Sequence, residues 1–184
     1  EIGRKTDGNL PAGEKIYWEQ EPVVPLGTKR AEIVLNGLWK FMPAGKDVKP
    51  AEEGWGYCRV PGSWHNFFKD RAIEGVIAEG SGPAWANLKY NLLERAWYRR
   101  EIFIPAEWKG REIILRIDHV CTDAEIYVNG AKCAVINSPW GEAVITPQVT
   151  AGKKAALDLL VIASADTEDV LRFSHHDLSL IHIS

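Results

Sequence analysis

The sequence predicts an all-β fold, an antiparallel sandwich or jelly roll. From about Ala31 onward, short apolar and β-branched runs are separated by turns that contain Gly or Pro, and no long window keeps the period of an amphipathic helix. The strands do not alternate with helical segments, as βαβ units would require. The dipeptide Asn129-Gly130 marks a tight hairpin. Together these features favour two packed antiparallel sheets.

The hairpin over residues 125–136 is the clearest element. Asn and Gly both accept the positive φ angles of a two-residue turn, which places the turn at Asn129-Gly130. Tyr127 and Lys132 then share one face of the hairpin, because side chains alternate along a strand. The register predicts that six small or apolar side chains share the other face, in the pairs Val128 with Ala131, Ile126 with Cys133 and Ala124 with Val135.

Other strands are predicted on both sides of this hairpin. Residues 96–105 and 111–118 both have strand patterns, and the short turn between them predicts that they are neighbours. Residues 155–162 are almost continuously apolar, which is typical of a strand covered on both faces. A shorter strand is predicted at 35–41. The segment from Pro43 to Leu93 is less regular and is expected to form long loops at one end of the sandwich.

Composition sets the broad class and excludes several functions. A chain of 184 residues, 46% of them hydrophobic, is long enough for one domain with its own core. A net charge of −3 without a concentrated basic patch gives no reason to expect nucleic acid or an anionic membrane as a partner. No apolar run approaches the roughly 18 residues of a membrane span. Three cysteines without a CxxC spacing indicate neither a disulfide framework nor a zinc site, so cysteine usage leaves the compartment open.

A polar cluster within RIDHVCTDAEIYVNG (116–130) raises the question of a chemical site. It contains Asp118, His119, Cys121 and Asp123. In an extended strand, Asp118 and His119 face opposite sides, and two ligands that share a face do not make a metal site. The nucleophile reading also lacks a base with its own orienting group. We therefore predict no metal site and no catalytic residue here, and a structural role for the segment.

Several ordered blocks of the sequence resemble one known domain. The blocks are LNGLWKF (35–41), VPGSW (60–64), AWYRREIFIPAEWKGREIILRIDHV (96–120), AEIYVNGAKC (124–133), SPWGEAVITPQVT (138–150) and GKKAALDLLVIAS (152–164). Their order over residues 31–166 resembles the N-terminal sugar-binding domain of glycoside hydrolase family 2, which includes β-galactosidases, β-glucuronidases and β-mannosidases. The resemblance implies a galactose-binding-domain-like jelly roll that uses no cofactor. In the family, an immunoglobulin-like domain and a (β/α)₈ barrel with the catalytic glutamates follow this domain.

The resemblance implies sugar contacts at two loops. In SGPAWANLKY (81–90), Asn87 matches a family Asn that helps to hold the sugar, and Trp85 offers a ring on which a sugar face could stack. After the last long strand, Asp166 matches an Asp that meets substrate hydroxyls, although Thr167 replaces the usual Gly. The alternative is that Asn87 satisfies loop backbone groups and that Asp166 caps the turn after its strand. Trp39, Trp64 and Trp97 are expected in the core or at a domain interface, and one of Arg99 and Arg100 is expected to be solvated.

These observations predict a non-catalytic domain whose ligand is a β-linked sugar or glycoside. Its expected partners are the immunoglobulin-like and barrel domains of the same protein. The alternative is a free-standing carbohydrate-binding module or lectin, which uses the same fold without a barrel. Localisation is not fixed by the sequence; polysaccharide-degrading members of the family are often periplasmic or secreted.

The chain is expected to divide into three parts. Residues 1–30 are predicted to be an extended leader, residues 31–170 the jelly-roll domain, and residues 171–184 a truncated end. The last eight residues, DLSLIHIS (177–184), resemble the translated read-through of a sequencing-library adapter, so they are set aside in the fold prediction. The alternative is a genuine closing strand, which their short alternating pattern also fits.

Overall fold

The computed structural model shows two antiparallel sheets packed face to face. It describes residues 21–27, 30–45, 49–64, 75–120, 122–137, 140–163 and 177–183. The strands in these residues are β1 (Val24–Leu26), β2 (Arg30–Val34), β3 (Gly37–Pro43), β4 (Gly56–Val60), β5 (Gly62–Ser63), β6 (Val76–Ala78), β7 (Arg95–Phe103), β8 (Ile114–Val120), β9 (Asp123–Val128), β10 (Ala131–Asn137), β11 (Gly141–Val144), β12 (Lys154–Ile162) and β13 (Asp177–Ile183). The predicted all-β sandwich is confirmed.

The strands divide between the sheets in a non-sequential order. One sheet has the order β1-β2-β13-β8-β11, with β5 also paired to β13, and the other has the order β10-β9-β12-β7-β3-β4-β6. Four single 3-10 turns complete the described structure, at Pro83–Trp85, Tyr90–Leu92, Ala106–Trp108 and Thr146–Gln148. None of the described helical turns has the length and apolar character needed to cross a membrane.

The main core lies between the two sheets. Ile33 and Leu115 from the smaller sheet and Phe41 and Tyr98 from the larger sheet are fully buried in one cluster. The Phe41 and Tyr98 rings meet edge to face, 5.2 Å apart, a geometry worth about 0.5–1.5 kcal/mol beyond the area that the rings bury. Burial of Trp39 and Trp64 in this cluster confirms their prediction as core aromatics.

A second apolar cluster covers the outer face of the larger sheet. Met42, Trp97 and Leu160 lie on adjacent strands, and Trp55 from the loop before β4 packs over them. The Trp55 indole N–H donates to the Ala51 carbonyl (2.9 Å), a hydrogen bond within the loop that orients the ring. The strand β12 is therefore covered on both faces, as its continuous apolar sequence predicts.

Two predicted neighbours lie in different sheets. Strand β7 pairs with β12 and β3, whereas β8 pairs with β13 and β11, so the prediction that residues 96–105 and 111–118 are neighbours is wrong. The connection between them crosses from one sheet to the other, because the turn Ala106–Trp108 buries Trp108 in the core between the sheets. The prediction of loops for Pro43 to Leu93 is also corrected, since this segment supplies β4, β5 and β6.

The hairpin turn is confirmed, but its register changes after Lys132. Asn129 and Gly130 have φ angles of 50° and 80°, and Tyr127 faces Lys132 as predicted. A bulge between Lys132 and Ala134 then makes Ala134 the partner of Ile126 and Ile136 the partner of Ala124. The bulge reverses the facing of the residues that follow it, so Ile136 is buried whereas Val135 is 48% exposed. The predicted pairs Ile126 with Cys133 and Ala124 with Val135 are therefore wrong.

Residues Asp177–Ile183 form a paired strand in the smaller sheet. Strand β13 lies between β2 and β8 and joins the ladders of both, and Ile183 is fully buried. The segment thus occupies the position of a closing strand, while its interpretation as adapter read-through stays a prediction. The leader predicted for residues 1–30 lies mostly outside the described residues.

Candidate functional site

The loop from Glu79 to Leu93 contains two of the three predicted sugar contacts. This segment, called the Asn87 loop below, joins β6 of the larger sheet to β7. Gly82 has a φ of 92°, which residues with a side chain rarely adopt, and Pro83 follows it at the first position of a 3-10 turn. The Trp85 N–H closes this turn on the Gly82 carbonyl (3.1 Å).

Asn87 lies at the exposed tip of the loop. Its φ of 58° is left-handed, a conformation that Asn tolerates better than most residues. The residue is exposed, and within the part of the chain that the structure describes its side-chain amide makes no hydrogen bond. The described contacts therefore give no support to the alternative that Asn87 satisfies loop backbone groups. Its amide group is available to both the donor and acceptor groups of a sugar.

Trp85, which was predicted to offer its ring to a sugar, is buried. Its side chain is only 8% exposed and belongs to the main core, where its ring meets Phe41 edge-on at 6.0 Å. The indole N–H donates to the Gly54 carbonyl oxygen (2.8 Å). Because stacking on a sugar needs a free ring face, this burial speaks against direct contact and for a role in anchoring the loop.

Glycines that the sequence analysis did not single out let the loop lie close to the start of β4. A Cβ on Gly56 would lie 2.6 Å from the Trp85 ring, and a Cβ on Gly80 would lie 2.0 Å from the Gly54 oxygen. The Ser81 N–H also donates to the Gly54 oxygen (3.1 Å). Gly54, Gly56 and Gly80 are the sequence signal for this contact. They are spread over 27 positions, however, and the sequence does not show which segments they bring together.

A pair of polar side chains closes the base of the loop. The Tyr90 hydroxyl donates to Glu79 Oε1 (2.8 Å). Burial and the hydrogen bond to Glu79 raise the pKa of Tyr90 above its usual range, so the phenol keeps its proton and remains a donor. Further along, the Leu93 carbonyl accepts the Trp64 indole N–H (3.2 Å). Neither interaction was predicted, because the paired residues are 11 positions apart in the first case and 29 in the second.

The described residues of the polar cluster do not add to this loop. Asp166 lies outside the described residues, as does Cys121. Asp118 and His119 belong to β8 in one sheet and Asp123 to β9 in the other, so the sandwich separates the cluster. Asp118 binds the Arg116 guanidinium (2.6 Å). Among the described residues, no group of three His, Cys, Asp or Glu side chains is arranged to hold a metal ion.

Both neighbouring arginines of β7 are engaged, contrary to the prediction that one of them is solvated. Arg99 makes a bidentate ion pair with Asp158 (2.6 and 2.9 Å), and its guanidinium lies 4.7 Å from the Trp55 ring centre. Arg100 points to the opposite face and donates to the carbonyl oxygens of Leu35 (2.5 Å) and Asn36 (2.7 Å). Burial lowers the pKa of Arg100 to about 10, which still leaves it charged at neutral pH.

Comparisons with known proteins show that the chain is similar to part of several β-glucuronidases. No protein-family model matches the chain. A curated β-glucuronidase from Paenibacillus borealis is 27% identical over 119 residues, which cover 60% of this chain and 17% of that protein. The structure of Ruminococcus gnavus β-glucuronidase in complex with D-glucuronic acid superposes with a TM-score of 0.61 at 19% identity, over 83% of this chain and 29% of that one. The chain has the fold of this β-glucuronidase segment.

Two further β-glucuronidase structures give the same result. The enzyme of Dictyoglomus thermophilum has a TM-score of 0.57 at 17% identity and matches 92% of this chain, and that of Lactobacillus rhamnosus has a TM-score of 0.59 at 18% identity and matches 87%. The chain spans 29% of each of these two solved chains. The resemblance to glycoside hydrolase family 2 predicted from the sequence is confirmed by these relatives, since β-glucuronidases are among its members.

Proposed function

We propose that the chain is the non-catalytic sugar-binding domain of a family 2 β-glycosidase, in which a separate barrel domain cleaves the glycosidic bond. The observation that carries the proposal is the partial coverage of the relatives. The match extends over most of this chain but over less than a third of each β-glucuronidase, so the relatives contain much additional chain. A sandwich of this kind supports the barrel and contributes loop contacts to the sugar pocket.

Three ion-paired carboxylates of the larger sheet support a non-catalytic role. Retaining glycosidases use two carboxyl groups about 5–5.5 Å apart, one of them held protonated by a raised pKa. Asp158, Glu125 and Glu101 instead pair with Arg99, Lys132 and Lys154 on the outer face of the larger sheet. The Tyr127 hydroxyl and Lys132 lower the pKa of Glu125, which is the opposite of what a general acid requires.

The proposed substrate contact is Asn87, with β-glucuronides as the first substrate class to test. An amide can accept a hydrogen bond from one sugar hydroxyl and donate to another, and the exposed tip of the loop leaves both groups accessible. Glucuronides are chosen because the curated relative is named a β-glucuronidase and because one matched structure contains D-glucuronic acid. Galactosides and mannosides are the comparison substrates.

The test is the hydrolysis of 4-nitrophenyl β-glycosides by the full-length product of the gene. Asn87→Gly is the sharpest variant, because Gly keeps the left-handed backbone and removes only the amide. We expect kcat/KM to fall roughly tenfold, as for the loss of one hydrogen bond of about 1.4 kcal/mol. Lys89→Ala, an exposed change in the same loop, is the matched control and should leave kcat/KM unchanged.

Two results would overturn this proposal. An unchanged kcat/KM in Asn87→Gly would remove Asn87 from the pocket, and a well-folded full-length product without glycosidase activity would remove the enzyme assignment. Titration calorimetry of sugars with the chain alone distinguishes the proposal from the alternative of a free-standing carbohydrate-binding module. A free-standing carbohydrate-binding module predicts measurable affinity for a sugar, whereas a pocket completed by another domain predicts almost none.

A further inference from the structure

The Asn87 loop is attached to the sandwich on both sides of its exposed tip. Before the tip, the Ser81 N–H and the Trp85 indole N–H share the Gly54 carbonyl oxygen as their acceptor. After the tip, the Leu93 carbonyl accepts the Trp64 indole N–H, and Leu93 itself is buried in the core. Asn87 lies in the short segment between these attachments, so the attachments determine its position.

Trp85 is the attachment nearest to Asn87 in sequence. Its carbonyl accepts the Leu88 N–H (3.4 Å), which closes the turn that contains Asn87. Its ring is held between Phe41 and the space left by Gly56, and its N–H is held by Gly54. One residue therefore connects the backbone of the loop tip to the rigid core of the larger sheet.

We propose that Trp85 is a positioning residue, which acts on the sugar through Asn87 by holding the loop tip in one place rather than by touching the sugar itself. This inference rests on the proposed function of Asn87. It replaces the role of sugar platform that the sequence predicts for Trp85, because both the ring and the N–H are already engaged with the domain. A loop held in this way presents the Asn87 amide without a large ordering cost when the sugar binds.

A double-mutant cycle on kcat/KM tests the mechanism in the full-length product. Trp85→Phe keeps an aromatic ring but removes the N–H that binds Gly54. We expect it to lower kcat/KM by roughly fivefold in the wild-type background and to have almost no effect when Asn87 is already Gly, as for residues that act through one contact. A merely structural residue would lower kcat/KM by the same factor in both backgrounds, and this result would overturn the proposal.

Hydrogen exchange of the chain alone gives a second readout that does not depend on activity. In Trp85→Phe, the amides of Ser81 and Leu88 should exchange roughly tenfold faster, because opening of the loop requires less free energy. Trp108→Phe is the matched control, since Trp108 is also buried and ends a similar 3-10 turn elsewhere. Unchanged exchange at both amides in Trp85→Phe would overturn the proposal.

The two readouts separate failure of this inference from failure of the proposed function. If Asn87→Gly leaves kcat/KM unchanged while the exchange of Ser81 and Leu88 accelerates in Trp85→Phe, the sugar contact is refuted and the anchoring of the loop stands. If Trp85→Phe does not fold, Trp85→Met takes its place, because Met also lacks the N–H that binds Gly54 and its flexible side chain fills irregular core space. The same exchange pattern is expected, and an unperturbed loop would again contradict the anchoring.

Discussion

Substitution of Gly80 by Ala should destabilise the domain far more than the same change at Gly110. A Cβ at Gly80 would lie 2.0 Å from the Gly54 oxygen and 2.6 Å from both the Gly56 nitrogen and the Trp55 carbonyl carbon. Carbon and oxygen normally approach to about 3.3 Å, so the two backbone segments must separate by more than 1 Å. None of the three atoms can rotate away, because all belong to the backbone.

The magnitude follows from these contacts. Overpacking typically costs about 1–3 kcal/mol, and a clash with backbone on three sides places Gly80→Ala at the upper end. The lower entropy of the unfolded chain returns about 0.4–1 kcal/mol, which leaves a net loss of roughly 2–3 kcal/mol. At Gly110, the third residue of a type II turn closed by the Arg111 N–H on the Trp108 carbonyl, a Cβ would meet nothing within 4 Å. Gly110→Ala should therefore cost only the left-handed backbone strain of about 1 kcal/mol, less the same entropy gain.

Urea denaturation of both variants, followed by far-UV circular dichroism, measures the difference. We expect the free energy of unfolding of Gly80→Ala to be lower than that of Gly110→Ala by roughly 2 kcal/mol, with similar m-values. We also expect the Asn87 loop to lose exchange protection at Ser81 in Gly80→Ala only. Equal stabilities would refute the close approach of the loop to β4, and with it the anchoring described above.

Three further predictions concern the rest of the sandwich. Asp158→Ala should lower the free energy of unfolding by roughly 2 kcal/mol, because the substitution removes the carboxylate that pairs with Arg99. Urea denaturation measures this loss, and a loss below about 0.5 kcal/mol would show that the ion pair contributes little. Burial raises the pKa of Cys58 to about 12 from 9.0, so the unfolded chain loses the thiol proton first and the free energy of unfolding should fall as the pH rises above about 9. A pH series of Cys58→Ala should lack this part of the fall, and parallel curves for the two proteins would contradict it. Removal of residues 177–184 should lower the melting temperature by about 10 °C or more, because the β2 and β8 ladders lose the strand between them; an unchanged melting temperature would show that the segment is not part of the fold.

Much of the fold could be predicted because it depends on local chemistry. Asn129 and Gly130 accept the backbone angles of their turn regardless of the rest of the chain, and the apolar run at 155–162 indicates a buried strand by itself. The register after Lys132 could not be predicted, because a bulge reverses the facing of the residues that follow and leaves no clear signal in the sequence. The separation of β7 from β8 depends on the turn between them crossing the core, which is a tertiary event.

The site could be predicted less well for the same reason. Asn87 was predicted from the resemblance of its loop to a family motif, and its contact with a sugar stays a prediction. The environment of Trp85 depends on Gly54 and Gly56, which lie about thirty positions earlier and whose importance appears only when the two segments are brought together. A loop tryptophan therefore has the same sequence pattern whether it stacks on a sugar or anchors the loop. Asp166 stays a prediction.

The most direct test of the central claim compares two purified proteins with 4-nitrophenyl β-glucuronide as substrate. We expect the 184-residue chain to fold into the sandwich without releasing nitrophenol, and the full-length product to release it at a rate that falls in Asn87→Gly. Hydrolysis by the chain alone would contradict the account, since bond cleavage would then have to occur within the sandwich.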